Sequence, residues 1–254
     1  MEPQTKIIAV SGKGGVGKTT LSATIVRILT EKFPNSRILA IDADPAVGLS
    51  TALGVEVKET LDDIRKKIVD KTSQGEMTQA IELLNEARFR IFDTMVENQK
   101  FAFLAIGRPE AAGCFCAINT YLKEVISMLA NDFDYVVIDG EAGIEQINRR
   151  VMEKVTHLLL ISDQSKKGIQ VIQTISDVSA ELVMAEKKGA IINRVTNPDL
   201  NKCITLNGVD ILSFIEADEE HIQNDIQGKS VFELCPDSEI LHGVEDALRK
   251  IDIL

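Results

Sequence analysis

The chain has 254 residues, and no Pro/Gly/Ser-rich linker or low-complexity tract divides it, which predicts a single domain over 1–254. With 28 Lys and Arg against 39 Asp and Glu the net charge is −11, so a polyanion such as nucleic acid is a poor partner. No run approaches the ~18 uninterrupted apolar residues of a membrane span, the first residues lack the charged and apolar regions of a secretory leader, and the four cysteines read as reduced thiols, which predicts a cytoplasmic protein without a membrane partner.

Lys6-Ile7-Ile8-Ala9-Val10 reads as a strand, and Leu21, Ile25, Val26, Ile28 and Leu29 fall at helical spacing up to Phe33-Pro34-Asn35. Between them, Gly12-Lys13-Gly14-Gly15-Val16-Gly17-Lys18-Thr19-Thr20 satisfies G-x-x-x-x-G-K-[ST] in the strand-before, helix-after context of a phosphate-binding loop. Glycines let backbone N–H groups turn inward around a phosphate chain, where a Cβ would obstruct them. Lys18 places a charge near the β- and γ-phosphates, Thr19 offers its hydroxyl to Mg²⁺, and the start of the helix adds partial positive charge.

Arg37-Ile38-Leu39-Ala40-Ile41-Asp42 is the next predicted strand, and it carries Asp42-Ala43-Asp44-Pro45 at its C-terminal end, where open α/β sheets bind ligands. Residues 56–99 read as a helical insertion, with Leu61, Ile64, Ile68, Ile81, Leu84, Ala87, Ile91 and Met95 spaced for a buried face. Phe101 to Ile106 returns to strand, a loop runs from Gly107 to Cys116, and Leu122, Val125, Ile126 and Leu129 mark a helix. The strand Tyr135-Val136-Val137-Ile138-Asp139 follows, and Asp139 has the placement of a carboxylate that holds Mg²⁺ through water. Asp42 is a second candidate for the Mg²⁺ site, with hydrogen bonding to the loop as its simpler role.

Further strands are predicted over His157–Ser162, Gly189–Asn193 and Val209–Ile215, with helices near Gly168 to Ala185 and Ser238 to Ile251. The alternation predicts a doubly wound, mostly parallel sheet with helices on both faces. His157, His221 and His242 are scattered and read as structural, and Cys203 and Cys235, which have no partner spacing, read as packing residues.

Cys114-Phe115-Cys116 is different, because two thiolates two residues apart can chelate one metal. A closed tetrahedral site needs four ligands, which a two-fold axis beside the loop would supply from a second copy. Zn²⁺, Ni²⁺ or an iron–sulfur cluster would each suit four sulfurs. Two small buried hydrophobes are the alternative.

The string from Gly12 to Thr20 resembles the deviant Walker A loop of the ATPase family that contains MinD, ParA, the nitrogenase iron protein and the CooC nickel-insertion ATPases. That resemblance implies an ATP-dependent homodimer in which Lys13 reaches across to the partner's phosphates, Asp44 orients the attacking water, and Gly143, in Asp139-Gly140-Glu141-Ala142-Gly143-Ile144-Glu145, senses the γ-phosphate. It also implies that Asn193, followed by Arg194, reads adenine, and the missing acid of an N-K-x-D string favours ATP over GTP. The cysteine pair after Gly107-Arg108-Pro109-Glu110 is similar to the CooC subgroup, which implies metal delivery to a client metalloenzyme such as carbon monoxide dehydrogenase. A MinD-like switch that binds a protein or membrane, and a cluster-carrying ATPase, stay open.

Overall fold

Side chains of the second strand alternate strictly: Ile38 and Ala40 enter one core, Leu39 and Ile41 the other. A strand buried on both faces needs a covering layer on each side. The computed structural model describes residues 5–44, 48–73, 77–98, 100–107, 116–140, 154–182 and 184–254. Among these residues eight strands, β1 (Lys6–Gly12), β2 (Ile38–Asp42), β3 (Val96–Glu97), β4 (Ala102–Ala105), β5 (Tyr135–Asp139), β6 (Lys154–Ser162), β7 (Met184–Val195) and β8 (Asp210–Glu216), form one sheet in the order β3-β4-β2-β5-β1-β6-β7-β8. Every pairing is parallel except β3 with β4. The expected doubly wound α/β sheet is present.

Among the described residues the helices are α1 (Lys18–Lys32), α2 (Gly48–Leu53), α3 (Leu61–Ser73), α4 (Met77–Thr94), α5 (Cys116–Ala130), α6 (Lys166–Leu182), α7 (Glu219–Ile226) and α8 (Glu239–Lys250). Leu21, Ile25 and Leu29 of α1 share one core with Val244 and Leu248 of α8. Ile64 and Ile68 of α3, Ile126 of α5 and Ile172 of α6 build the core on the opposite face. Among the described residues no helix is long and apolar enough to cross a membrane.

Several boundaries differ from expectation. The insertion is not one helical stretch: α3 and α4 pack as a pair, and the chain returns through the two-residue edge strand β3. β7 begins at Met184 because Met184 pairs with Lys154 of an equally extended β6, so α6 stops at Leu182. The short helices α2 and α7 were not expected. Six residues of α2 are too few to show a period, and the two apolar residues of α7, Ile222 and Ile226, are both exposed, so neither contributes a buried face. Cys203 and Cys235 are both exposed, which corrects their reading as packing residues.

Central β1 lies between β5 and β6. The chain leaves β1 toward β2 on one side and later reaches β6 on the other, so the end of β1 is a topological switch point, where open α/β sheets bind ligands.

Candidate functional site

The phosphate loop leaves β1 at Gly12 and enters α1 at Gly17. Gly17 caps the helix in the left-handed conformation, φ 90° and ψ 27°, and among the described residues no side chain caps the first N–H groups, which leaves them for an anion. A Cβ on Gly17 would lie 2.8 Å from Asn193 Nδ2, and one on Gly12 (φ 149°) would run into the Ile161 carbonyl. Gly12 is therefore required by close backbone approach as well as by φ, and Gly17 by φ and by the Asn193 amide packed against it. Lys18 is 8% exposed, and its Nζ donates to the Lys13 carbonyl at 3.2 Å, across the loop.

Asp42 and Asp139 are paired in register at the ends of β2 and β5 and are both buried. Asp42 accepts the Asp44 N–H at 3.1 Å and the Leu49 N–H at 2.9 Å. Burial, with the charge of Asp139 added, pushes its carboxyl up to about 7. Asp139 Oδ1 accepts the Ser22 hydroxyl at 3.0 Å, whereas Oδ2 is buried with no hydrogen-bond partner among the described residues. Burial pushes Asp139 up to about 6 against the opposing pull of the Thr19 and Ser22 hydroxyls and the Lys18 charge. Asp44 is half-buried beside this pair.

An orphaned buried carboxylate oxygen beside a second reluctant carboxylate fits a hard divalent cation that takes oxygen ligands. Among the described residues no three His, Cys, Asp or Glu side chains form a ready-made metal cage. Two aspartates and the Thr19 hydroxyl make only a partial set, of the kind Mg²⁺ completes with phosphate oxygens and water.

On the other side of the loop, Asn193 Nδ2 donates to the Val16 carbonyl and Arg194 Nη1 to the Gly15 carbonyl, each at 2.8 Å. Neighbouring strand residues normally point to opposite faces. Here Arg194 is left-handed, φ 56°, within an irregular stretch of the β7–β8 pairing, and both side chains reach the loop. A cavity of about 450 Å³ opens beside them, lined by Gly17, Thr20 and Asn193 and by His221, Ile222 and Ile226 of α7. The sequence reading missed this wall. Its signal was Asp218 before Glu219-Glu220, a helix cap with an acidic first turn, and Asp218 does accept the His221 N–H at 2.9 Å.

Lys13 forms an ion pair with Asp163, Nζ to Oδ2 2.5 Å. Cys116 opens α5. Cys114 and Gly143 lie outside the described residues.

The family model described as the CobQ/CobB/MinD/ParA nucleotide binding domain matches residues 7–231. An uncharacterized ATP-binding protein of Methanocaldococcus jannaschii is 34% identical, covering 96% of this chain and 98% of that protein. The carbon monoxide dehydrogenase accessory protein CooC of Rhodospirillum rubrum is 27% identical over 90% of each chain. The solved structure of the septum site-determining protein MinD from Pyrococcus horikoshii, complexed with Mg-ADP, superimposes with a TM-score of 0.71 at 22% identity, covering 98% of this chain and 96% of that one.

Proposed function

The chain belongs to the CobQ/CobB/MinD/ParA nucleotide-binding family, and from that premise we propose that it is an ATP-hydrolysing homodimer that hands a metal ion to a client metalloenzyme. The observation that carries the hydrolytic half is the buried Asp139 Oδ2, unpartnered among the described residues and set beside Asp42 and the loop. In this reading Lys18 and Lys13 neutralise phosphate charge, the N-terminus of α1 takes the phosphate chain, Thr19, Asp42 and Asp139 hold Mg²⁺, and Asp44 orients the attacking water. Mg²⁺, when bound, supplies charge neutralisation on the phosphate oxygens. Gly143 would sense the γ-phosphate. Asn193 and the adjoining cavity would take adenine, and Asn193 already spends a donor hydrogen on Val16, so its oxygen is the atom that suits the N6 amino group.

The metal is cargo in this reading. Cys116 stands at the head of α5, after β4 and so at the nucleotide end of the sheet, and the likeness to CooC adds support. Two Cys114-x-Cys116 pairs facing across the dimer axis would make a four-sulfur site for Ni²⁺ or Zn²⁺, with an iron–sulfur cluster as the remaining cargo of suitable chemistry. Carbon monoxide dehydrogenase is the client that the CooC likeness suggests. Metal analysis of anaerobically purified protein with ATP and with ADP tests this: one ion per dimer in one nucleotide state, lost in Cys114→Ala, is expected.

A second reading, a switch whose output is a protein partner, is favoured by one observation. Phe89 and Phe92, one turn apart on α4, are 72% and 40% exposed. Absence of metal in both nucleotide states would move the assignment there.

A further inference from the structure

Lys13 is the loop lysine that the dimer reading sends to the partner's phosphates, yet in this single chain it is already occupied. Its Nζ lies 2.5 Å from Asp163 Oδ2 and 3.4 Å from Ser165 Oγ, while its backbone N–H donates to the Ile161 carbonyl at 3.2 Å. Asp163 itself is firmly seated. Its Oδ1 accepts the Ser165 N–H at 3.2 Å and the Ser165 hydroxyl at 2.5 Å, and that hydroxyl accepts the Gly168 N–H at 3.0 Å.

The next residue fastens this turn to the far side of the site. Gln164 Nε2 donates to the Asn197 carbonyl and to Asn201 Oδ1, both at 2.8 Å, and its Oε1 accepts the Thr196 N–H at 3.0 Å. A Cβ on Gly168 would strike the Asp163 and Ser162 side chains, so the start of α6 closes tightly on the carboxylate. The acid is thus held twice by Ser165 within an anchored turn, and Lys13, on a flexible four-carbon stem, is the partner free to leave. Burial alone would raise the Asp163 pKa, but the hydrogen bonds from Lys13 and Ser165 outweigh it and hold the carboxyl below its ordinary value, so Asp163 is a carboxylate at neutral pH.

We propose that Asp163 is a resting-state latch: it keeps Lys13 on its own subunit, and nucleotide-driven pairing of two subunits must break this ion pair before Lys13 can cross. The inference rests on the dimer reading above. Lys13 exchanges one carboxylate for the several negative oxygens of a triphosphate, so the exchange is favourable only when the opposite subunit is loaded. Empty subunits then have no reason to pair through this lysine. A half-exposed ion pair is worth at most about fivefold in an equilibrium, and a symmetric dimer breaks two of them, so the latch sets the pairing constant by up to roughly 25-fold.

Sedimentation velocity of full-length wild type, Asp163→Asn, Ser165→Ala and the Lys13→Ala/Asp163→Asn pair, each with a non-hydrolysable ATP analogue, tests the proposal. Asp163→Asn should pair at roughly five- to 25-fold lower protein concentration than wild type, Ser165→Ala should shift the same way by less, and the double variant should lose the gain. If wild type pairs and Asp163→Asn pairs no better, the latch falls and the dimer reading stands. If neither pairs with analogue bound, both fall together. Thermal melts of the variants that match wild type show that the shifts do not come from misfolding, which is expected because Asp163 and Lys13 are each 29% exposed.

Discussion

Asp42 and Asp139 end neighbouring strands in register, and burial together with the charge of Asp139 makes Asp42 harder to ionise. Two carboxyls raised to about 7 and about 6 in the interior are a cost to the empty fold. Packing alone gives no reason to place them there. A divalent cation held between them would.

The first prediction follows from proton linkage. Both groups hold their protons to higher pH in the folded chain than in the unfolded one, so their stabilising contribution is full below about pH 4 and is lost as pH rises through 6 and 7. The empty protein should therefore melt higher at pH 6 than at pH 8, by more than Asp42→Asn and Asp139→Asn variants do. If Asp42 and Asp139 hold Mg²⁺ as proposed, Mg-ATP binding needs both ionised and should weaken over the same interval as pH falls. Scanning calorimetry at the two pH values, with and without Mg-ATP, measures both slopes. An empty protein whose melting does not differ from those variants in pH dependence would remove the argument.

Asp139→Asn isolates one member of the pair. The amide oxygen can still accept from Ser22, and a neutral group replaces an unpartnered buried oxygen. We expect the empty protein to gain about 1–3 kcal/mol, since one pKa unit corresponds to about 1.4 kcal/mol. Hydrolysis should fall by roughly a hundredfold or more, because electrostatic stabilisation carries most of phosphoryl transfer. Urea unfolding and steady-state phosphate release give the two numbers. A destabilised variant with normal turnover would contradict both expectations.

Much of this site was legible in the sequence because its residues sit at the ends of strong periodic runs. β1, the phosphate loop and α1 follow from apolar spacing and glycine placement, and Asp42 and Asp139 fall where buried strands stop. What the sequence hid was tertiary. The extra residues of β6 and β7 contain Lys154, Glu186, Lys187 and Lys188, which obscure an apolar run, yet they lie in the ladder because Lys154 pairs with Met184. Helix α7 carries too few buried residues to announce itself, although its cap did. The engagement of Lys13 by Asp163 joins positions 150 residues apart and left no local signal.

The cavity beside Asn193 supplies a third prediction. Ile222 lines it from α7 and is 49% exposed, so Ile222→Arg should fill the space without disturbing the core. If the cavity takes the base, ATP affinity should drop at least roughly tenfold, more than about 1.4 kcal/mol. Inorganic tripolyphosphate, which needs only the loop, should bind as before. Competition titrations with a fluorescent nucleotide distinguish the two, and equal loss for both ligands would place the base elsewhere.

Helix α8 is the segment that a membrane-binding switch would need free, and its sequence makes an apolar stripe of Leu241, Val244 and Leu248, continued by Ile251 just past its end. In the fold that stripe is spent: Val244 and Leu248 are fully buried in the same core as α1. The cations are committed as well, Arg249 to Glu245 at 2.5 Å and Lys250 to the Leu212 carbonyl at 2.5 Å. Undocking the helix would expose the core face it covers, a larger loss than an amphipathic helix with acidic neighbours regains on a lipid surface. Leu248→Ala should consequently cost about 2–5 kcal/mol in urea unfolding, the range for emptying a packed core position. Wild type should stay in the supernatant when sedimented with anionic liposomes and ATP. A cost below about 0.5 kcal/mol together with co-sedimentation would mean that α8 leaves the domain, and the switch reading would then take a membrane as its partner.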